Sequence, residues 1–160
     1  MSTSAPLPLQ DGETITASTV VRRAPEEVYA LVTDVTRIPE WSPECVRCEW
    51  LDEHRFKGWN RRALARWSTV ATVVNREPDR EFSFVVRLGW REFTEWTYRT
   101  DPGPEPDTTQ LTETFRMRMP LPRAVLWYER LMLRVRDRRT DLQQNLEQSL
   151  ERIRALAENQ

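Results

Sequence analysis

The sequence predicts an α+β domain in which a curved antiparallel sheet of seven strands wraps around one long C-terminal helix. Three observations carry that expectation. Six segments rich in β-branched and aromatic residues follow one another between Glu44 and Met119, joined by connections too short for βαβ crossovers, so their strands run antiparallel. A seventh segment, at Glu13–Arg22, alternates polar and apolar residues. After Pro120 and Pro122 the period becomes helical from about Arg123 to Glu158, with Leu142, Leu146, Leu150, Ile153 and Ala157 on one face.

Each element has a local reason. Residues 1–11 are Ser- and Pro-rich and predict a flexible tail, leaving 12–160 as one domain. Ile15, Ala17, Thr19 and Val21 share one face of the first strand. Pro25, followed by Glu26 and Glu27, starts a helix whose inward stripe is Val28, Leu31, Val32 and Val35. Pro39 and Pro43 around Trp41 predict a short second helical turn and a loop. The following strands are expected at 44–52, 55–62, 66–75, 81–88, 91–100 and 108–119. Turn chemistry such as Glu77-Pro78-Asp79 and Asp101-Pro102-Gly103-Pro104 separates them. Only helices can cover the apolar face of such a sheet, and bulky residues between the layers leave a concave, largely apolar pocket.

Composition excludes several functions. The 160 residues carry 24 basic and 25 acidic side chains, so no global basic field points to nucleic acid. No apolar run exceeds Ala124–Tyr128, which is too short to span a bilayer. Residues 1–10 lack the basic start and apolar core of a secretory signal, so cytoplasmic residence is the default expectation. The four glycines are scattered, with no phosphate-binding loop. No cofactor is expected, and no metal. His54 is the only histidine and sits in a polar turn. Cys45 and Cys48, three apart in a strand, are expected on opposite faces.

The stretch Val21–Trp50 (VRRAPEEVYALVTDVTRIPEWSPECVRCEW) resembles the start of the START-related polyketide cyclase/dehydrase family of the SRPBCC superfamily. Phe56–Trp67, the Trp96–Tyr98 strand end and Ser149–Glu158 agree in order and spacing, so the resemblance covers about residues 13–158. It implies a helix-grip fold with a hydrophobic cavity. Members bind lipids, polyketides or other apolar molecules, and some are cyclases or aromatases.

Seven tryptophans, an unusually large number for this length, weight the balance toward a pocket. Trp41, Phe56, Trp59, Trp67, Phe84, Trp96 and Phe115 are the expected ligand-binding set, against the plainer alternative that they are core. In the strand at 91–100, Trp96 shares its face with Thr94 and Tyr98, and Phe93 takes the other. Glu113 stands in apolar company with Thr109, Leu111, Phe115 and Met117. If that face lines the cavity, Glu113 is the catalytic candidate, with Tyr98 as a second proton donor. Otherwise it is a solvated carboxylate, or one paired with Arg61 or Arg66. The expected function is binding of an apolar small molecule, with an aromatase/cyclase or dehydratase as the alternative. The six arginines of Arg123–Arg139, interleaved with apolar residues, offer a weak membrane or protein contact or else the solvated face of the long helix. Oligomeric state stays open.

Overall fold

A computed structural model describes residues 9–120, 123–128, 131 and 137–160. The strands are β1 (Thr14–Val21), β2 (Cys45–Trp50), β3 (Arg55–Arg62), β4 (Ala65–Glu77), β5 (Glu81–Leu88), β6 (Arg91–Pro102) and β7 (Thr109–Met117). They form one antiparallel sheet in the order β1-β7-β6-β5-β4-β3-β2. The meander of β2 to β7 is completed by β1, whose Ala17 stands opposite Glu113.

Helix α1 (Pro25–Thr33) begins as its sequence demands. Pro25 needs no N–H partner, and the Glu27 carboxylate accepts from the Ala24 N–H at 3.3 Å. Val28, Leu31 and Val32 are buried beneath it. The Asp34 carboxylate accepts from the Thr36 N–H at 3.2 Å and starts the 3-10 turn Val35–Glu40. A short helix, α2 (Arg123–Tyr128), follows the sheet, and α3 spans Arg138–Glu158.

The continuous helix expected from Arg123 is thus interrupted. Asp137 is extended (φ −127°, ψ 103°), and its carboxylate accepts from the Arg139 N–H at 3.1 Å and the Thr140 hydroxyl at 2.6 Å. An aspartate satisfying free N–H groups starts a helix there and does not continue one. Arg138 and Arg139, at the end of the Arg-rich stretch, turn to Asp141 (3.0 Å) and Glu13 (2.7 Å). Most of residues 129–136, including Arg134 and Arg136, lie outside the described residues, as do 1–8 of the expected tail. Leu9, also assigned to that tail, is buried with Phe115, Met117, Leu142 and Leu146.

Three bulges curl the sheet. One extra residue enters the ladder at Val46 in β2, at Val74 in β4 and at Phe93 in β6. Helix α3 packs chiefly on β1 and more lightly on β7, while α1 leans on β5 and β6 and the 3-10 turn on β2. Among the described residues the concave face of β3 and β4 has no helix packed closely onto it.

Candidate functional site

The uncovered concave face encloses a cavity of about 200 Å³. Phe56, Gly58 and Asn60 of β3, and Trp67, Thr69 and Ala71 of β4, supply one wall. Phe84, Trp96, Tyr98, Glu113 and Phe115 supply the sheet floor, and Leu142, Asn145 and Ser149 of α3 the roof. Trp41, at the end of the 3-10 turn, closes one side. Pockets for drug-sized ligands measure roughly 300–1,000 Å³, so this smaller space suits a ring-sized guest.

Six of the seven expected aromatics line the cavity. Phe56 meets Phe84 edge-on at 5.0 Å, and Trp96 meets Phe115 edge-on at 5.1 Å. Trp59 is the correction. It alternates with Gly58 and Asn60, so it lies on the convex face, where Arg47 and Lys57 sit over its ring at 4.6 and 5.0 Å. Phe93, expected to point away, joins the cavity beside Thr94 because the bulge at Phe93 breaks the alternation.

A hydrogen-bonded polar pair reaches the largely apolar interior. Tyr98 and Glu113 are directly opposed on β6 and β7, and each is almost wholly buried. The Trp41 Nε1–H donates to the Tyr98 oxygen at 3.4 Å, and the Tyr98 hydroxyl donates to Glu113 Oε1 at 3.0 Å. Glu113 Oε2 is buried with no protein partner. Loss of hydration pushes the Glu113 carboxyl up to about 8, only partly offset by the Tyr98 hydrogen bond. Burial, followed by the neighbouring Glu113 charge, holds the Tyr98 phenol well above its usual value. At neutral pH the site therefore presents a protonated carboxyl able to donate to a carbonyl or hydroxyl oxygen. Arg61 and Arg66 do not pair with it: they sit on β3 and β4, away from β7, and are exposed.

Cys45 and Cys48 also break the sequence expectation. The bulge at Val46 puts Cys45 opposite Asn60 and Cys48 opposite Gly58, so both thiols face the cavity and Val46 points out. A bulge leaves little trace in composition, which is why spacing alone placed them on opposite faces.

A polar cluster borders the cavity at the start of α3. Arg62 bridges Glu44 at 2.9 Å and Asp141 at 2.7 Å, and Asp141 also receives Arg138. Carboxylates on both sides raise the Arg62 pKa further, so it stays charged. A wider groove of about 750 Å³ between α1 and the β2–β3 turn holds Tyr29, Trp50, exposed His54 and Arg76. It is more open to solvent and more mixed in polarity than the cavity under α3. Among the described residues no cluster of three or more His, Cys, Asp or Glu could hold a metal. Nor is any helix among them long and apolar enough to cross a membrane.

Residues 13–158 match the family described as polyketide cyclase/dehydrase and lipid transport. The chain belongs to this family. No curated protein sequence matches it. Solved structures with the family's helix-grip architecture are similar over nearly the whole chain. A polyketide-cyclase-like protein from Corynebacterium glutamicum is 27% identical with a TM-score of 0.59, covering 91% of each chain. A START superfamily protein from Mycobacterium smegmatis is 14% identical with a TM-score of 0.68, covering 92% of this chain and 98% of that one. The Zhui aromatase/cyclase from a Streptomyces species is 14% identical with a TM-score of 0.67, covering 92% and 94%. At these last identities the likeness is one of fold. The family's sheet-and-helix frame accounts for the cavity, and the groups inside it belong to this chain.

Proposed function

We propose that the protein binds a ring-sized apolar molecule bearing one carbonyl or hydroxyl oxygen in the cavity between the sheet and α3. The observation that carries this reading is the unpartnered Glu113 Oε2 in a largely apolar cavity. A buried donor or acceptor without a partner costs on the order of 1–3 kcal/mol, and a ligand oxygen there would recover it. Membership of a family that groups cyclases, dehydrases and lipid carriers supports an apolar guest. The test is quenching of tryptophan fluorescence by dihydrocarvone, a saturated cyclic ketone. Saturable quenching is expected, weakened in Glu113→Ala. Its absence in the wild type overturns the reading.

A dehydratase role is favoured by the same carboxyl. Protonated Glu113 would give its proton to a departing hydroxyl as water leaves. The resulting carboxylate, steadied by Tyr98, would take the proton α to the ligand carbonyl and return to its starting state. Turnover of a cyclic β-hydroxyketone to its enone, abolished in Glu113→Gln with binding retained, is the outcome this reading expects. Binding without turnover leaves the protein a carrier.

A further inference from the structure

The Cys45–Cys48 pair is unused by either reading, and its geometry is specific. In a regular strand residues three apart point to opposite faces. Here the bulge places both side chains over β3 residues only two apart, Asn60 and Gly58, so the sulfurs are neighbours. Both are buried, at 8% and 5% exposure, and both line the cavity. Gly58 has no side chain to screen them: a Cβ there would stand 3.8 Å from the Cys45 sulfur.

The two thiols are not equivalent. As a neutral thiol Cys45 donates to the Arg47 carbonyl at 3.2 Å. When it ionises, the Cys48 S–H and then the N–H groups of Arg47 and Trp59 can donate to it, and the first of these lowers its pKa against the effect of burial. Cys48 is driven the opposite way by the same contact and by burial, and stays protonated. The contact thus eases ionisation of Cys45 and opposes that of Cys48, which can act as a proton carrier. Tyr98 and Glu113 are in the same cavity.

We propose that Cys45 is a nucleophilic site in the cavity wall, with Cys48 as its proton donor, that forms a thioether with an α,β-unsaturated carbonyl compound held in the cavity. The proposal rests on the cavity's being a binding site for apolar carbonyl compounds. In the step, Cys45 gives its proton to water, its sulfur bonds to the β-carbon and the carbon–carbon π pair moves to the α-carbon. The α-carbon takes the proton of Cys48, which is reprotonated from water. Nothing is oxidised or reduced: the sum is one thiol added across one double bond. Such an enone is also the product that dehydration of a β-hydroxyketone gives, so the pair would retain that product.

The experiment treats the native protein with carvone, an apolar cyclic enone, and follows intact mass and peptide mapping. One adduct at Cys45 is expected, and none in Cys45→Ser. In Cys48→Ala the adduct still forms at Cys45 but about three- to tenfold more slowly, since the lost hydrogen bond reduces the thiolate fraction while raising the sulfur's intrinsic nucleophilicity. A native protein that resists carvone while the urea-unfolded chain reacts would overturn the proposal. So would labelling at Cys48 instead, or a Cys48→Ala rate equal to wild type. Dihydrocarvone, which lacks the conjugated double bond, separates the two claims. Saturable quenching by it without a carvone adduct sinks the thiol proposal alone. A Cys45 adduct without saturable quenching supports the thiol site and ends the ligand-binding reading.

Discussion

Tyr98 donates its hydroxyl to Glu113 across the β6–β7 ladder at 3.0 Å, and the second carboxyl oxygen faces the cavity unpaired. Here the concave face gives up apolar contact for a hydrogen-bonded titratable pair.

The raised Glu113 pKa makes stability depend on pH with a definite sign. Unfolded, the carboxyl titrates near 4.5, and folded near 8. Between those values the native state holds a proton that the unfolded state has released, so stability declines as pH rises through this window. Below the lower value the contribution is fully present, and above the upper one it is gone. Glu113→Gln keeps an acceptor for Tyr98 and removes the titration. Urea unfolding should therefore show the variant gaining on wild type from pH 5 to pH 8 by about 1–4 kcal/mol. Parallel curves across that range would reject a buried, protonated Glu113.

Tyr98→Phe should act in two ways. It leaves the Trp41 Nε1–H and Glu113 Oε1 without their described partners, at a cost of about 1–3 kcal/mol. It also removes the hydrogen bond that holds the carboxyl down, so the titration of Glu113 moves above 8. The check is the pH dependence of stability of Tyr98→Phe with and without Glu113→Gln. A Glu113 titration no higher than in wild type would contradict the assigned bond.

Arg62 fastens β3 to α3 through Asp141 and to the start of β2 through Glu44, with about a quarter of its side chain exposed. Arg62→Met keeps the apolar stem and leaves two half-buried carboxylates with Arg138 alone nearby. A loss of about 1–3 kcal/mol is expected, read as a fall in Tm of about 2–4 °C for each kcal/mol. An unchanged Tm would show the bridge to be of no consequence.

Much of this was legible in the sequence because the signals were local and repeated. The alternation in β1, the Pro25-Glu26-Glu27 start of α1 and the Leu142–Ala157 stripe each predict an element that the structure contains. Six of the expected aromatics line the cavity, and alternation along β7 put Glu113 in the company of Leu111 and Phe115 while leaving open which side faces inward. The failures lie where alternation breaks or a single residue decides. The bulges at Val46 and Phe93 turned Cys45–Cys48 and Phe93 inward without any compositional mark. Asp137, read within a helical period, proved to be the cap that begins α3. Trp59 was placed inward on residue type, although its neighbours Phe56, Gly58 and Asn60 already claimed the concave face.

Trp59 and Trp96 give a direct contrast between the two faces of the sheet. The Trp96 ring packs on Phe115 inside the cavity, and its Nε1–H donates to the Thr94 hydroxyl at 3.2 Å. The Trp59 ring lies outside beneath Arg47 and Lys57, where exposed cation–π contacts contribute only about 0.5–1 kcal/mol. Trp59→Phe should leave both stability and the quenching by dihydrocarvone within error of wild type. Trp96→Phe enlarges the cavity and removes a cavity indole, so quenching amplitude should fall and stability drop by about 1–3 kcal/mol. Titration of the two variants side by side, with urea unfolding on each, decides between the faces. If the Trp59 variant were the one to lose the signal, the ligand would have to sit on the convex side, where no enclosed apolar space exists among the described residues.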